Sequence, residues 1–161
     1  MSSYGDNENK QRGIAREPLV AQRILDYFTT CGLIVKMEES TLLEDMRKKF
    51  DYKYTCKEGQ SFSKDGKVNE IKVDIKCGKT FTLIDDLGRN TLEKSESTFI
   101  VYELNEGADL LWINTGKFKE CLDRNGYQLR KSKLNESKYF FIEEYIRKNQ
   151  KFLGKFVKYI K

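Results

Sequence analysis

A run from Val68 to Cys77 alternates apolar and charged side chains, and it constrains the fold more than any other stretch. The apolar members are Ile71, Val73, Ile75 and Cys77, and the charged members are Glu70, Lys72, Asp74 and Lys76. Because successive side chains of a strand point to opposite faces, the run predicts a strand with one buried and one polar face. Such a strand needs neighbouring strands and an apolar layer packed on its buried face.

Other stretches supply those neighbours. Apolar residues at three- and four-residue spacings between Ile14 and Phe28 predict a helix, with Pro18 either near its start or at a kink. Further strands are predicted at 33–37, 49–55, 81–84, 98–104 and 109–114, a helix or loop at 41–48, and helices at 117–124 and in the last third of the chain. This order predicts an α/β or α+β fold with one mixed central sheet.

Composition and charge divide the chain into three parts. Residues 1–10 are polar and predict a disordered leader, residues 11–127 predict a core domain, and residues 128–161 predict a basic helical C-terminal extension. The net charge of the chain is +5, but the segment 128–161 has ten basic and three acidic residues, so it carries +7 and the rest carries −2. This asymmetry is typical of a protein that meets phosphate.

Histidine is absent from the sequence, and its absence excludes several kinds of chemistry. A Ser-His-Asp triad, a Cys-His dyad and a His-ligated zinc or haem site all need an imidazole. Any reaction must therefore use carboxylates, lysines, hydroxyls or thiols. The four cysteines are far apart and show no Cys-x-x-Cys spacing, so we expect reduced thiols.

The apolar runs of the sequence are short. None approaches the roughly 20 residues of a membrane-spanning helix, and the first residues lack the apolar core of a signal peptide. We therefore expect an intracellular protein, cytoplasmic or nucleoid-associated, that is neither secreted nor a membrane partner.

The residues suited to chemistry lie between Asp51 and Lys76. Asp74 and Lys76 are two apart on the alternating strand, so they share a face. If the preceding strand pairs with this one, Asp51 reaches the same patch. Two facing carboxylates repel unless a cation lies between them, and their oxygens suit Mg²⁺, with Mn²⁺ as an alternative. Lys76 would then position a water molecule or offset charge on a phosphate.

Asp51, the later Asp74-x-Lys76 triplet and Glu17 on the preceding helix together resemble the PD-(D/E)xK nuclease superfamily. The order of predicted elements over roughly residues 14–125 is similar to that of its small phage-type and resolvase-type members. The resemblance implies a restriction-endonuclease-like α/β core, with a mixed sheet flanked by helices. It also implies Mg²⁺-dependent hydrolysis of nucleic-acid phosphodiesters, chiefly in DNA, by an enzyme that often works as a homodimer. Asp51 and Asp74 would bind the metal, Lys76 would be the catalytic lysine, and Glu17 would assist them.

Two choices within this pattern stay open. Glu70-Ile71-Lys72 is a second (D/E)xK match on the same strand, and Asp74 is preferred because it lies deeper in the apolar run. Asp26 is a rival to Glu17 on the same helix. The alternating charges also suit a solvated strand face with cross-strand ion pairs. That alternative predicts a non-catalytic nucleic-acid-binding or protein-interaction module.

The basic tail supplies candidate contacts to nucleic acid. They are Lys131, Lys133, Arg147, Lys148, Lys151 and Lys155. The same residues would also suit the solvent face of an amphipathic helix. Eight aromatic residues are able to stack on bases, although strand aromatics usually belong to the core and none of the eight is favoured over the others. They are Phe50, Tyr52, Tyr54, Phe62, Trp112, Tyr139, Phe140 and Phe141.

Overall fold

The structure, a computed structural model, describes residues 4–41, 50–77, 92–104, 109–131 and 138–161. The predicted strand at 81–84 and all but the first residue of the predicted element at 41–48 lie outside these ranges. The described elements are, in chain order, α1 (Tyr4–Thr30), β1 (Val35–Glu39), β2 (Tyr52–Cys56), β3 (Glu70–Lys76), β4 (Phe99–Leu104), β5 (Asp109–Asn114), α2 (Thr115–Asn125), β6 (Arg130–Lys131), β7 (Lys138–Tyr139), α3 (Ile142–Lys148), α4 (Gln150–Leu153), a 3₁₀ turn (Gly154–Phe156) and β8 (Val157–Ile160).

Six strands form one mixed sheet in the order β1-β2-β3-β4-β5-β8. Neighbouring strands are antiparallel except for β3 and β4, which run parallel. Helix α1 packs on one face, and helices α2 and α3 pack on the other. The predicted α/β class, with a mixed central sheet flanked by helices, is therefore confirmed.

The alternation of β3 sets the two faces of the sheet. Ile71, Val73 and Ile75 are all buried and pack in one cluster with the inner face of α1. The hydroxyl of Tyr54, on the neighbouring strand, donates a hydrogen bond to the Ala21 carbonyl of α1 at 2.9 Å. The charged residues of β3 point to the opposite face, which is the face covered by α2 and α3 over β4 and β5.

Helix α1 is longer than the sequence pattern predicts. It begins at Tyr4, so the disordered leader predicted for residues 1–10 is wrong over residues 4–10. Once a helix is nucleated, each added residue gains a hydrogen bond at little cost, and residues 4–10 contain no proline to stop it. The helix also continues through Pro18 and does not start near it.

The tail does not form the helical extension predicted for residues 128–161. It contains the β6–β7 pair, two short helices and β8, which joins the central sheet beside β5. The apolar residues of segment 157–160 have a spacing that fits the apolar stripe of a helix. The exposed edge of β5 offers them a ladder of hydrogen bonds, and such tertiary pairing overrides weak local preference. The last residues are therefore part of the core sheet.

Leu153→Ala is expected to lower the free energy of unfolding by about 3 kcal/mol, because the change leaves a cavity in a packed core. Leu153 is completely buried on the α2 and α3 side of the sheet. Chemical denaturation measures the loss. Leu19→Ala is the matched control, since Leu19 is 54% exposed. Equal, small losses in both variants would contradict the packing of the tail into the core.

Candidate active site

The register of β2 and β3 brings two carboxylates together. Tyr52 lies opposite Val73 in an antiparallel pair, so Asp51 and Asp74 occupy the next opposed positions. The backbone N–H of Asp51 donates to the Val73 carbonyl at 2.9 Å, which continues the ladder beyond the strand. Asp51 thus lies just before β2, and not in the middle of a strand as the sequence pattern predicted.

Asp51 is fixed by the backbone of the opposite strand. Its Oδ2 atom accepts a hydrogen bond from the Ile75 N–H at 2.6 Å. Burial and the facing carboxylate of Asp74 raise the pKa of Asp51 to about 8, although the Ile75 hydrogen bond acts in the opposite direction. Two acids held this close keep a proton between them at neutral pH unless a cation replaces it.

Lys76 lies beside this pair on the same face of β3. Its Nζ atom is 3.4 Å from Asp74 Oδ2, and its side chain is 39% exposed while that of Asp74 is 13% exposed. Burial acts to lower the pKa of Lys76, but the attraction of Asp74 and Asp51 outweighs it, so the pKa lies above its usual value. The lysine is therefore an ammonium at neutral pH, with N–H groups that can donate hydrogen bonds.

Glu17 approaches the pair from α1. Its charge contributes to the raised pKa values of Asp51 and Lys76, which places it in the electrostatic field of the site. Its rival Asp26 lies nine residues further along α1, or about 14 Å at the usual rise per residue. Asp26 is exposed and accepts a hydrogen bond from Gln22 at 3.0 Å. The structure therefore brings Glu17, and not Asp26, toward the site.

The second (D/E)xK match lies away from Asp51. Glu70 is exposed at the start of β3, opposite Thr55. Lys72 lies opposite Lys53, and its ammonium is 5.4 Å from the centre of the Phe50 ring. The geometry that unites Asp51 with a (D/E)xK triplet is thus provided by Asp74 and Lys76.

An ion pair that the sequence pattern did not reveal lies next to Glu17. Arg16 Nε is 3.1 Å from both carboxylate oxygens of Glu103 in β4. Glu103 is only 5% exposed, so Arg16 supplies a counter-ion where water has little access. The pair ties the N-terminal half of α1 to the sheet. An acid at an inward position of the apolar run 99–104 was the signal that such a partner exists.

Arg16→Ala is expected to lower the free energy of unfolding by about 2 kcal/mol, because it leaves the Glu103 carboxylate buried and unpaired. The Arg16 side chain is 33% exposed, so the loss is smaller than for a fully buried pair. Thermal melts of the single variant and of Arg16→Ala with Glu103→Gln measure it. The double variant should recover part of the loss; an equal or larger loss would refute the ion-pair account.

The basic residues of the tail fall into two groups. Arg147, Lys148 and Lys151 are exposed and line one surface cavity of about 690 Å³. Lys148 lies 2.9 Å from Glu144, which also pairs with Arg130 at 2.6 Å.

The remaining basic residues lie elsewhere. Lys155 is exposed in the 3₁₀ turn, Lys131 lies in β6, and Lys133 lies outside the described residues.

The described residues contain no group of three or more Asp, Glu or Cys side chains close enough to hold a metal ion by themselves. Asp51 and Asp74 offer two carboxylates, and the chain has no histidine to add. Two carboxylates are a sufficient protein share for Mg²⁺, since this ion keeps several waters and completes its shell with substrate phosphate. The donor set therefore fits Mg²⁺ or Mn²⁺ and does not fit a structural zinc.

Comparisons with known proteins are sparse. No protein-family model matches the sequence, and no curated protein matches it. The chain is similar in structure to D212, a nuclease from a fusselovirus, with 13% sequence identity and a TM-score of 0.41 over 88% of this chain and 84% of that chain. At that similarity no function transfers between the two. Over the described residues, no helix has the length and apolar character to cross a membrane.

Proposed function

We propose that this protein is a metal-dependent nuclease of the PD-(D/E)xK type that hydrolyses phosphodiester bonds of nucleic acid, with DNA as its substrate. One observation carries the proposal. The antiparallel register sets Asp51 against Asp74, with the Lys76 ammonium 3.4 Å from Asp74 on the same strand face. An acid pair with a raised pKa and an adjacent cation at the end of a strand is costly to maintain for stability alone.

Asp51 and Asp74 would hold the metal, which we propose to be Mg²⁺, with Mn²⁺ as a substitute. When bound, the ion would supply Lewis-acid polarisation of the phosphodiester and a lower pKa for a water molecule. The observation behind this assignment is the opposed position of Asp51 and Asp74, where burial and the facing charge raise the pKa of Asp51 to about 8 and favour a retained proton when no cation is bound. A divalent ion would replace that proton and remove the repulsion.

Two side chains and one backbone N–H of this chain have separate tasks in the proposed reaction. The Lys76 ammonium donates hydrogen bonds to the water or to the phosphate oxygens, where negative charge develops. The Ile75 N–H holds Asp51 in one orientation at 2.6 Å, so the carboxylate is positioned before substrate arrives. Glu17 adds negative charge that strengthens the attraction for a cation.

The tail would supply the contacts to the substrate backbone. Arg147, Lys148 and Lys151 are exposed on one surface, and Lys155 is exposed close to it in sequence. Such contacts release counterions, so binding should weaken as salt rises. Cutting both strands of a duplex at once would need two sites, which a homodimer would provide.

The test is a cleavage assay with purified protein on duplex DNA, single-stranded DNA and RNA. Turnover is expected with Mg²⁺ or Mn²⁺, with none in EDTA, and DNA is expected to be the best substrate. Salt-dependent binding without turnover in any divalent ion would overturn the nuclease proposal. That result would favour a non-catalytic nucleic-acid-binding module instead.

A further inference from the structure

An aromatic cavity of about 410 Å³ opens on the α1 face of the sheet. Its aromatic wall consists of Tyr27, Phe28, Phe62, Phe99 and Trp112. Ile71 and Phe99, at the starts of the parallel strands β3 and β4, lie in its floor. Because Asp74 and Lys76 are three and five residues beyond Ile71 along β3, the cavity floor lies about 10–16 Å from the candidate active site and on the other face.

The cavity exists because α1 covers only part of its face. The helix packs over β2 and β3 and ends at Thr30, so its last turns form one side of the cavity, and inward residues of β4, β5 and β8 form another. Phe99 and Trp112 lie with ring centres 4.8 Å apart at 40°, and Phe28 meets the Trp112 ring edge-on at 85°. The rings contact one another and form a continuous aromatic wall.

Polar groups stand at the border of this wall. Lys158 contacts the Tyr27 hydroxyl, and its ammonium lies 4.7 Å from the centre of the Tyr27 ring. Asn114 accepts a hydrogen bond from the Lys117 N–H through its side-chain oxygen, at 3.0 Å. Among the described residues no acceptor is seen for the Asn114 N–H₂ group, which therefore has donors to offer to a ligand.

We propose that this cavity binds one unpaired base of a nucleic-acid strand, whose phosphate meets Lys158. The volume is in the range of pockets for small organic groups, and the aromatic walls suit a flat ring. An aliphatic ligand would leave the Asn114 donors without a partner, and it would offer no anion to the Lys158 ammonium, which contacts only the neutral Tyr27 side chain on this wall. A nucleotide unit supplies a ring for the wall, acceptors for Asn114 and an anion for Lys158.

The inference goes beyond the proposed cleavage reaction. It concerns where a strand is held on the opposite face, and base binding here needs neither metal nor turnover. The cavity would anchor an unpaired segment or end of a substrate while another part reaches the acid pair.

Trp112 is the single tryptophan of the chain, so its fluorescence reports on the cavity wall. Wild-type protein in EDTA is titrated with short oligothymidylate, with an abasic oligonucleotide of equal length, and with thymidine monophosphate. Quenching that saturates with oligothymidylate and is absent with the abasic strand is expected, since stacking on Trp112 needs the base. Lys158→Ala and Phe62→Leu should each weaken binding about tenfold.

Lys161→Ala is the matched control, because Lys161 is an exposed cation just past the same edge strand and is not part of the cavity wall. This variant should bind oligothymidylate with an affinity within about twofold of wild type, because a cation outside the cavity contributes only to the overall electrostatic field of the protein. Equal quenching by the abasic strand would overturn the proposal. Tight binding of the mononucleotide alone would also overturn it, as would a fluorescence change that appears only when the protein self-associates. These outcomes are independent of cleavage, so failure here and failure of the nuclease assay are distinguishable.

Discussion

Asp74→Asn and Lys76→Ala are each expected to reduce divalent-dependent cleavage by about 1,000-fold or more, with the protein still folded. Asp74 is one of the two carboxylates available to the metal, and Lys76 is the ammonium 3.4 Å from it. Asparagine keeps the shape of the side chain but removes its charge, and alanine removes the ammonium. The measurement is the single-turnover rate on labelled DNA at saturating Mg²⁺, with circular dichroism as a check of folding.

The chain contains its own control for this experiment. Glu70 and Lys72 repeat the same triplet spacing on the same strand face, but they lie opposite Thr55 and Lys53 and not opposite an acid. Glu70→Gln and Lys72→Ala should therefore cleave within about threefold of wild type. Activity in both Asp74 and Lys76 variants, or loss in the Glu70 and Lys72 pair, would refute the assignment.

The strand that carries the site was predictable because its pattern is local. The alternation of β3 fixes which residues are buried, and the structure agrees at each position from Glu70 to Lys76. The sharing of a face by Asp74 and Lys76 follows from that alternation alone. The predicted strands at 98–104 and 109–114 likewise match β4 and β5 to within one residue.

The meeting of Asp51 with Asp74 depends on a pairing that the local pattern does not determine. The meeting requires one particular register of β2 against β3. The connection between the two strands, residues 57–69, is thirteen residues long, and a connection of that length does not by itself determine the register. A slip of one residue would turn Asp51 to the α1 face. The apolar partners Tyr52 and Val73, which both must face α1, exclude that slip in the folded state.

The tail and the Arg16–Glu103 pair were not predictable for a different reason. Strand β8 forms because the edge of β5 accepts it, and the sequence of residues 157–160 gives no sign of that distant partner. Arg16 and Glu103 are 87 residues apart in the chain and meet only when α1 packs on the sheet. The local pattern shows at most that Glu103 needs a partner, and it identifies neither Arg16 nor the edge of β5, because both contacts depend on tertiary packing.

The Asp51–Asp74 pair connects function with stability. Burial and the charge of Asp74 raise the pKa of Asp51 from 3.8 to about 8, so the folded protein holds a proton that the unfolded chain releases. This contribution to stability is fully present below about pH 4 and is lost as the pH rises toward 8. Without metal, the wild-type protein should therefore lose stability across that window.

Asp51→Asn is expected to abolish cleavage and yet to raise the free energy of unfolding by about 1–3 kcal/mol at alkaline pH in EDTA. The amide is neutral at every pH, can accept the Ile75 hydrogen bond through its oxygen and can donate to Asp74 through its nitrogen. The variant should thus lack the Asp51-dependent loss of stability between about pH 5 and pH 8. Urea denaturation of both proteins at the two pH values measures the difference.

A comparison of wild type with Asp51→Asn also distinguishes a metal-binding site from an acid pair that is only strained. Millimolar Mg²⁺ should stabilise the wild type at alkaline pH, because an ion that binds the folded state alone replaces the missing proton. It should leave Asp51→Asn nearly unchanged, since one of its two carboxylate ligands is gone. If Mg²⁺ shifted both proteins equally, or neither, the two aspartates would not be metal ligands, and the raised pKa of Asp51 would reflect burial and repulsion alone.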